Sequence, residues 1–91
     1  MTYEDRGRKL GIMVDAKAAA YGDSVAKTAL QLRILYPGGV PLEAYTDMLA
    51  LVRVLDKINR IAAGNTRAFG ESSWQDIAGY GLLMSADRED V

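Results

Sequence analysis

The segment from Pro41 to Ala63 restricts the fold more than any other part of this chain, because it is apolar at helical spacing over more than one face. Tyr45, Met48, Leu51, Val52, Leu55, Ile58 and Ala62 form a broad stripe of the kind that faces a core. Leu42, Leu49, Ala50, Val54 and Ile61 fall largely outside that stripe. A helix apolar on two sides is buried on two sides, so this one is either central in a bundle or shared with a second subunit. The subunit contact is favoured: at 91 residues the chain is close to the lower limit for a self-sufficient core. The expectation is a homo-oligomer assembled through this third helix. Asn59 lies inside the main stripe, where an amide needs partners. It is read as a buried hydrogen-bonding residue that sets helix register, with the lining of a polar pocket as the alternative.

Shorter-range signals place three further helices. Thr2 and Asp5 have the spacing of a capping pair, and Tyr3, Leu10, Val14 and Tyr21 fall within roughly 40° of one another on a helical wheel. A helix over residues 3–20 follows, with Gly7 and Gly11 loosening its start. Gly22 is its stop, and Asp23 or Ser24 the N-cap of a second helix over 24–35. Tyr36-Pro37-Gly38-Gly39-Val40-Pro41 ends that helix, and Pro41 suits the first position of the long helix over 41–63. Gly64 to Glu71 reads as a turn-rich loop or lid. Ser72 and Gln75 open a last helix over 73–84, with Trp74, Ile77, Ala78, Gly81, Leu82 and Met84 on its apolar face. The acidic tail, 86–91, is expected to fray. The expected fold is therefore all-α: one domain, 1–91, built as a four-helix bundle.

Composition excludes several functions. Eleven Lys+Arg against twelve Asp+Glu leave a formal charge of −1, without the basic field that long nucleic acids require. The chain has no cysteine and no histidine, which removes disulfides, thiolate metal sites and the usual general base. Oxygen-ligated ions such as Mg2+ remain the candidate metals. No apolar run approaches membrane-spanning length, and the first ten residues lack the apolar stretch of a signal peptide. The expected location is cytoplasmic.

Chemistry is concentrated on the last two helices. Arg53, Lys57 and Arg60 follow at i, i+4 and i+7 and span roughly 60° of the wheel. Such a cationic stripe is either a solvated face matched to the helix dipole, with Asp56 neutralising part of it, or an anion site. A phosphate is the natural anion for it. On the last helix Asp76 and Tyr80 stand at i, i+4. Together they make a rim pair for a base or sugar, unless Asp76 instead pairs with Lys57 or Arg60. Tyr21-Gly22-Asp23-Ser24 sets polar groups at a helix start, which suits either an anion or a plain helical connection.

The order of these elements resembles a known group. Tyr21-Gly22-Asp23, then Lys57-x-x-Arg60 on a long apolar helix, then Glu71-Ser72 and Asp76-Ile77-Ala78-Gly79-Tyr80 are similar to the MazG-like all-α proteins of phages and bacteria. The likeness is to their small nucleotide-modification-associated domain, and it covers roughly residues 21–84. It implies an oligomeric, phage-related nucleotide-binding protein, acting in the host-cell cytoplasm if phage-encoded. The catalytic members hold Mg2+ through an ExxE pair on one helix and an ExxD pair on the next, because converging carboxylates are needed to hold metals that bridge phosphates. This chain has neither pair in a helix interior. Glu43 and Asp47, with Glu71 and Asp76 as helpers, are the nearest substitute for a metal set.

Three functions are therefore in competition. In the first, Lys57, Arg60 and Arg53 hold the phosphates of a nucleotide that is bound or sequestered, such as an immune signalling nucleotide, while Tyr21 or Tyr80 borders its base. Asp23 and Asp76 complete that ligand set. In the second, Glu43, Asp47, Glu71 and Asp76 support a Mg2+-dependent nucleotide pyrophosphohydrolase. In the third, the chain is a structural oligomerisation module and its charges are surface.

Overall fold

The computed structural model describes residues 1–67, 70 and 72–86. Those residues form α1 (Tyr3–Tyr21), α2 (Ser24–Leu35), a 3-10 turn (Leu42–Ala44), α3 (Tyr45–Ala62) and α4 (Ser73–Ser85), with no strand among the described residues. No helix among them is long and apolar enough to cross a membrane. The all-α, four-helix architecture expected from periodicity is thus present.

Local chemistry accounts for most of the boundaries. Thr2 and Asp5 form a reciprocal capping box: Thr2 Oγ1 accepts from the Asp5 N–H at 3.1 Å, and Asp5 Oδ2 accepts from the Thr2 N–H at 3.3 Å. Gly22 ends α1 in the left-handed conformation, φ 65° and ψ 37°. Ser72 Oγ accepts from the Gln75 N–H at 3.3 Å and starts α4. Two expectations need correction. Pro41 stays extended and a 3-10 turn follows it, so α3 begins at Tyr45, four residues after the Pro41 start read from sequence. No side chain caps α2 either. Asp23 is itself left-handed, with φ 57°, and Ser24 turns its hydroxyl toward α3.

α3 is the hub. It packs against α2 and α4, and α1 reaches it close to the Gly22 turn. The central place within the chain, one of the two readings of its apolar faces, is present, while Leu42, Leu49, Leu51 and Ile58 stay exposed. What the packing does not supply is a dry interior: among the described residues no apolar side chain is buried. The buried residues are polar, namely Ser24, Thr28, Asn59 and Ser73. The chain is also extended, measuring 51 × 29 × 26 Å with a radius of gyration of 16.2 Å. A compact chain of this length would have a radius near ~12 Å.

Asn59, 4% exposed, holds α3 to α2. Its Nδ2 donates to Gln31 Oε1 at 2.9 Å and to Thr28 Oγ1 at 3.2 Å, while its Oδ1 accepts from Gln31 Nε2 at 3.1 Å. A reciprocal amide pair has only one good alignment, so it sets the register of the two helices, as expected for an amide in an apolar stripe. Ser73 is fastened in a similar way, its N–H donating to Thr66 O at 2.9 Å.

Substituting Asn59→Ala leaves the Thr28 hydroxyl buried without this partner, and is expected to cost about 2 kcal/mol in urea unfolding. Gly22→Ala should cost a similar amount, about 2 kcal/mol, because left-handed backbone and crowding act together there. A Cβ at position 22 would stand 2.7 Å from the Ala63 Cβ. The same substitution at Gly7, which has open space around it, should be neutral or stabilising.

Candidate functional site

The tight Gly22-Asp23 turn lies directly on the C-terminal end of α3, within reach of Asn59 O and Ala63. That contact is what places Tyr21, the last residue of α1, against Arg60. The guanidinium carbon lies 3.6 Å from the Tyr21 ring centroid, a close cation–π stack. Arg60 Nη2 also donates to Asp56 Oδ2 at 3.0 Å, one helical turn back. Asp56 Oδ1 in turn accepts from Ser24 Oγ at 2.5 Å, which ties in the first residue of α2. On the other flank of α3, Lys57 Nζ donates to Asp76 Oδ2 at 3.1 Å and lies 4.0 Å from Asp56 Oδ2.

The result is one connected network running Tyr21, Arg60, Asp56, Lys57, Asp76, with all four helices contributing. The Arg60 and Lys57 side chains are only 13% and 12% exposed. Cations so sheltered require anions, and Asp56 is shared between them. Asp76 is 41% exposed, so its pair with Lys57 is screened by solvent and worth less.

The expected cationic stripe therefore divides. Arg60 serves the α1 and α2 side, Lys57 serves α4, and Arg53 stays exposed. Asp76 takes the salt-bridge role with Lys57 that was one of its two readings. Asp56 is the residue that sequence reasoning undervalued. Its signals were its i, i+4 spacing to Arg60 and its place next to Lys57.

A cleft of ≈ 260 Å³ opens between α1, α2 and α3 beside this network. Tyr21, Asp23, Ser24, Asp56 and Arg60 line it, with Lys17 and Val14 on the α1 wall. Lys17 escaped notice in the sequence, although it sits at i, i+4 from Tyr21. The cleft meets a larger groove of ≈ 600 Å³ between α2 and α3, and Val25 and Asp56 belong to both. Arg53 stands in that groove, with Ala29, Leu32, Leu49 and Val52 as apolar walls. So Tyr21, Asp23, Arg60 and Arg53, expected to act together, are gathered along one continuous depression.

Tyr80 is not part of it. With Tyr36, Asp47, Leu51, Val54 and Met84 it lines a separate groove of ≈ 370 Å³ between α3 and α4. Asp76 and Tyr80 do share a shallow hollow on α4, but that hollow does not include Tyr21 or Arg60. The described members of the suggested metal set do not converge either. Glu43 is exposed on the 3-10 turn, Asp47 faces the α3–α4 groove, and Asp76 is held by Lys57. Glu71 lies outside the described residues. Among the described residues no three Asp or Glu side chains stand close enough together to hold a metal ion. The described donors alone do not fit a bridging Mg2+.

A planar guanidinium is held edge-on by a carboxylate and face-on by an aromatic ring, at the wall of a cleft that also contains an ammonium and a hydroxyl. No family model, curated protein or solved structure matches the chain.

The two carboxylates are expected to rank differently when neutralised. Asp56→Asn removes the anion shared by two sheltered cations and should destabilise by about 2 kcal/mol. Asp76→Asn removes one half-exposed partner and should cost about 0.5–1 kcal/mol. Paired denaturation curves check the order, which reverses if Asp56 is only a surface charge.

Proposed function

We propose that this chain binds a phosphate-bearing nucleotide along the depression between α1, α2 and α3, and holds it without hydrolysing it. The observation that carries the reading is the meeting of two sequence-distant elements. Tyr21-Gly22-Asp23 and the Arg60 end of Lys57-x-x-Arg60 share one site, where the Tyr21 ring stacks on Arg60. In this reading Arg60, Lys17 and Arg53 supply charge for phosphate oxygens, and the apolar α2–α3 groove takes the base or sugar. These are two of the three elements that carry the resemblance to the MazG-like group, and a phage protein that withdraws a host signalling nucleotide in the cytoplasm is the role it suggests. Lys57 contributes indirectly, by holding α4 in place through Asp76.

A second reading has its own support, because Asp56, Lys57, Arg60 and Asp76 already satisfy one another's charge. In that reading the network is a clamp that fastens the other helices to α3, and the chain is a structural module.

Calorimetric titration with mono-, di-, tri- and cyclic nucleotides, with and without Mg2+, separates these readings. Binding with recovery of intact ligand is expected, and Arg60→Ala should weaken it by about 10- to 100-fold, the loss of one or two charge-assisted hydrogen bonds. Tyr80→Ala should leave affinity unchanged. Pyrophosphate release in Mg2+ would restore the hydrolase, and no heat with any nucleotide would leave the clamp.

A further inference from the structure

We infer that the groove between α3 and α4 is a second binding site, for a small organic cation bearing an alkylated ammonium group, with Asp47 meeting the charge and the Tyr36 and Tyr80 rings bordering it. Among the described residues it shares no lining side chain with the nucleotide depression, and it stands apart from that reading.

Three elements build the groove. Asp47, Leu51 and Val54 follow at i, i+4 and i+7 on α3, so a carboxylate and two aliphatic side chains run along one wall. Tyr80 and Met84 stand one turn apart on α4 and form the other. Tyr36, the residue after α2, completes the lining, and its backbone is pinned from both sides. Its N–H donates to Leu32 O at 2.8 Å, and its O accepts from the Gly39 N–H at 3.0 Å. Both tyrosines are half-buried. The enclosed space of ≈ 370 Å³ falls within the range of small-molecule sites.

The charge of the lining selects the ligand. An acid in the first turn of a helix is stabilised by the helix dipole with or without a ligand, so Asp47 alone marks nothing. Its surroundings do. Among the described residues no cationic side chain lines the groove and none pairs with Asp47. A phosphate would meet a like charge here, and a neutral ligand would leave the carboxylate unanswered. A hard metal ion needs several converging oxygen ligands, whereas Asp47 is the one carboxylate among the described residues that line the groove. An alkylated ammonium matches both halves of the lining. Its diffuse charge is attracted by a carboxylate and by the faces of tyrosine rings, and its apolar exterior packs on Leu51, Val54 and Met84. Because Asp47 is exposed, water and salt screen it, and the expected dissociation constant is on the order of a millimolar.

Titration of the full chain with choline, followed by backbone amide NMR, is expected to give saturable shifts centred on Tyr36, Leu51, Tyr80 and Gly81, with affinity falling as salt is raised. The neutral isostere 3,3-dimethylbutan-1-ol keeps the shape without the charge and should bind about tenfold more weakly. Asp47→Asn should weaken choline by about tenfold and leave the isostere unchanged. A Cβ at Gly81 would meet nothing within 4 Å, so Gly81→Leu extends into the open groove and should abolish choline binding. Free trimethyllysine and a short peptide containing it should bind alike, and a preference for the peptide overturns a free small molecule as the ligand. Equal affinity for choline and its isostere, or choline affinity that survives Asp47→Asn, overturns the cation. Shifts that fall on Lys17 and Arg53 instead, or none by about 100 mM choline, overturn the site. The comparison of choline with its isostere uses the unaltered chain, so it decides the matter even if a variant does not fold.

Discussion

The carboxylate of Asp56 is where the demands of the surrounding helices meet. It accepts from the first residue of α2, restrains the arginine on which the end of α1 stacks, and lies within reach of the lysine that holds α4. Each of those neighbours would be costly without it: sheltered cations require an anion, and Ser24 is buried. The Asn59 amide, one turn further along α3, extends the same logic to Thr28 and Gln31. The helices are thus aligned by directional bonds, and the apolar side chains around them are left incompletely covered.

That division of labour has a physical meaning. Hydrogen-bonded and charged contacts contribute little net stability, yet they penalise every misaligned packing heavily. Apolar burial contributes most of the stability of ordinary domains and tolerates sliding. Among the described residues the first is present throughout, while the second is limited to half-buried side chains such as Val52, Leu55 and Ile61. A fold of this kind is specified by directional bonds, with its apolar side chains left partly open among the described residues.

Features governed by near neighbours in the chain were legible from sequence: the Thr2 capping box, the Gly22 stop, the Ser72 cap and the two-sided character of α3 all follow from rules that span a few residues. The α2 cap was not, because a left-handed Asp23 has no distinguishing residue type and Ser24 was drawn away by a carboxylate 32 positions distant. The wheel grouped Lys57 with Arg60 correctly by angle, but long side chains bend toward whichever acid is nearest, and their acids lie on different flanks. Tyr21 and Tyr80 looked equivalent as base-bordering rings until the third dimension set them in separate grooves. The 49% hydrophobic composition counts apolar residues without saying whether anything covers them.

Gly22 and Asp23 are the whole of the connection between α1 and α2. Mechanically, that makes α1 a rigid lever of about 28 Å pivoting at one end, with the Tyr21 ring beside the fulcrum. Levers of this shape trade distance for precision. A swing of several ångströms at the tip of α1 reaches Tyr21 as a small fraction of an ångström, so the stack on Arg60 is insulated from jostling of the arm. Run in reverse the ratio amplifies, and a slight displacement of the ring becomes a wide sweep at the far end.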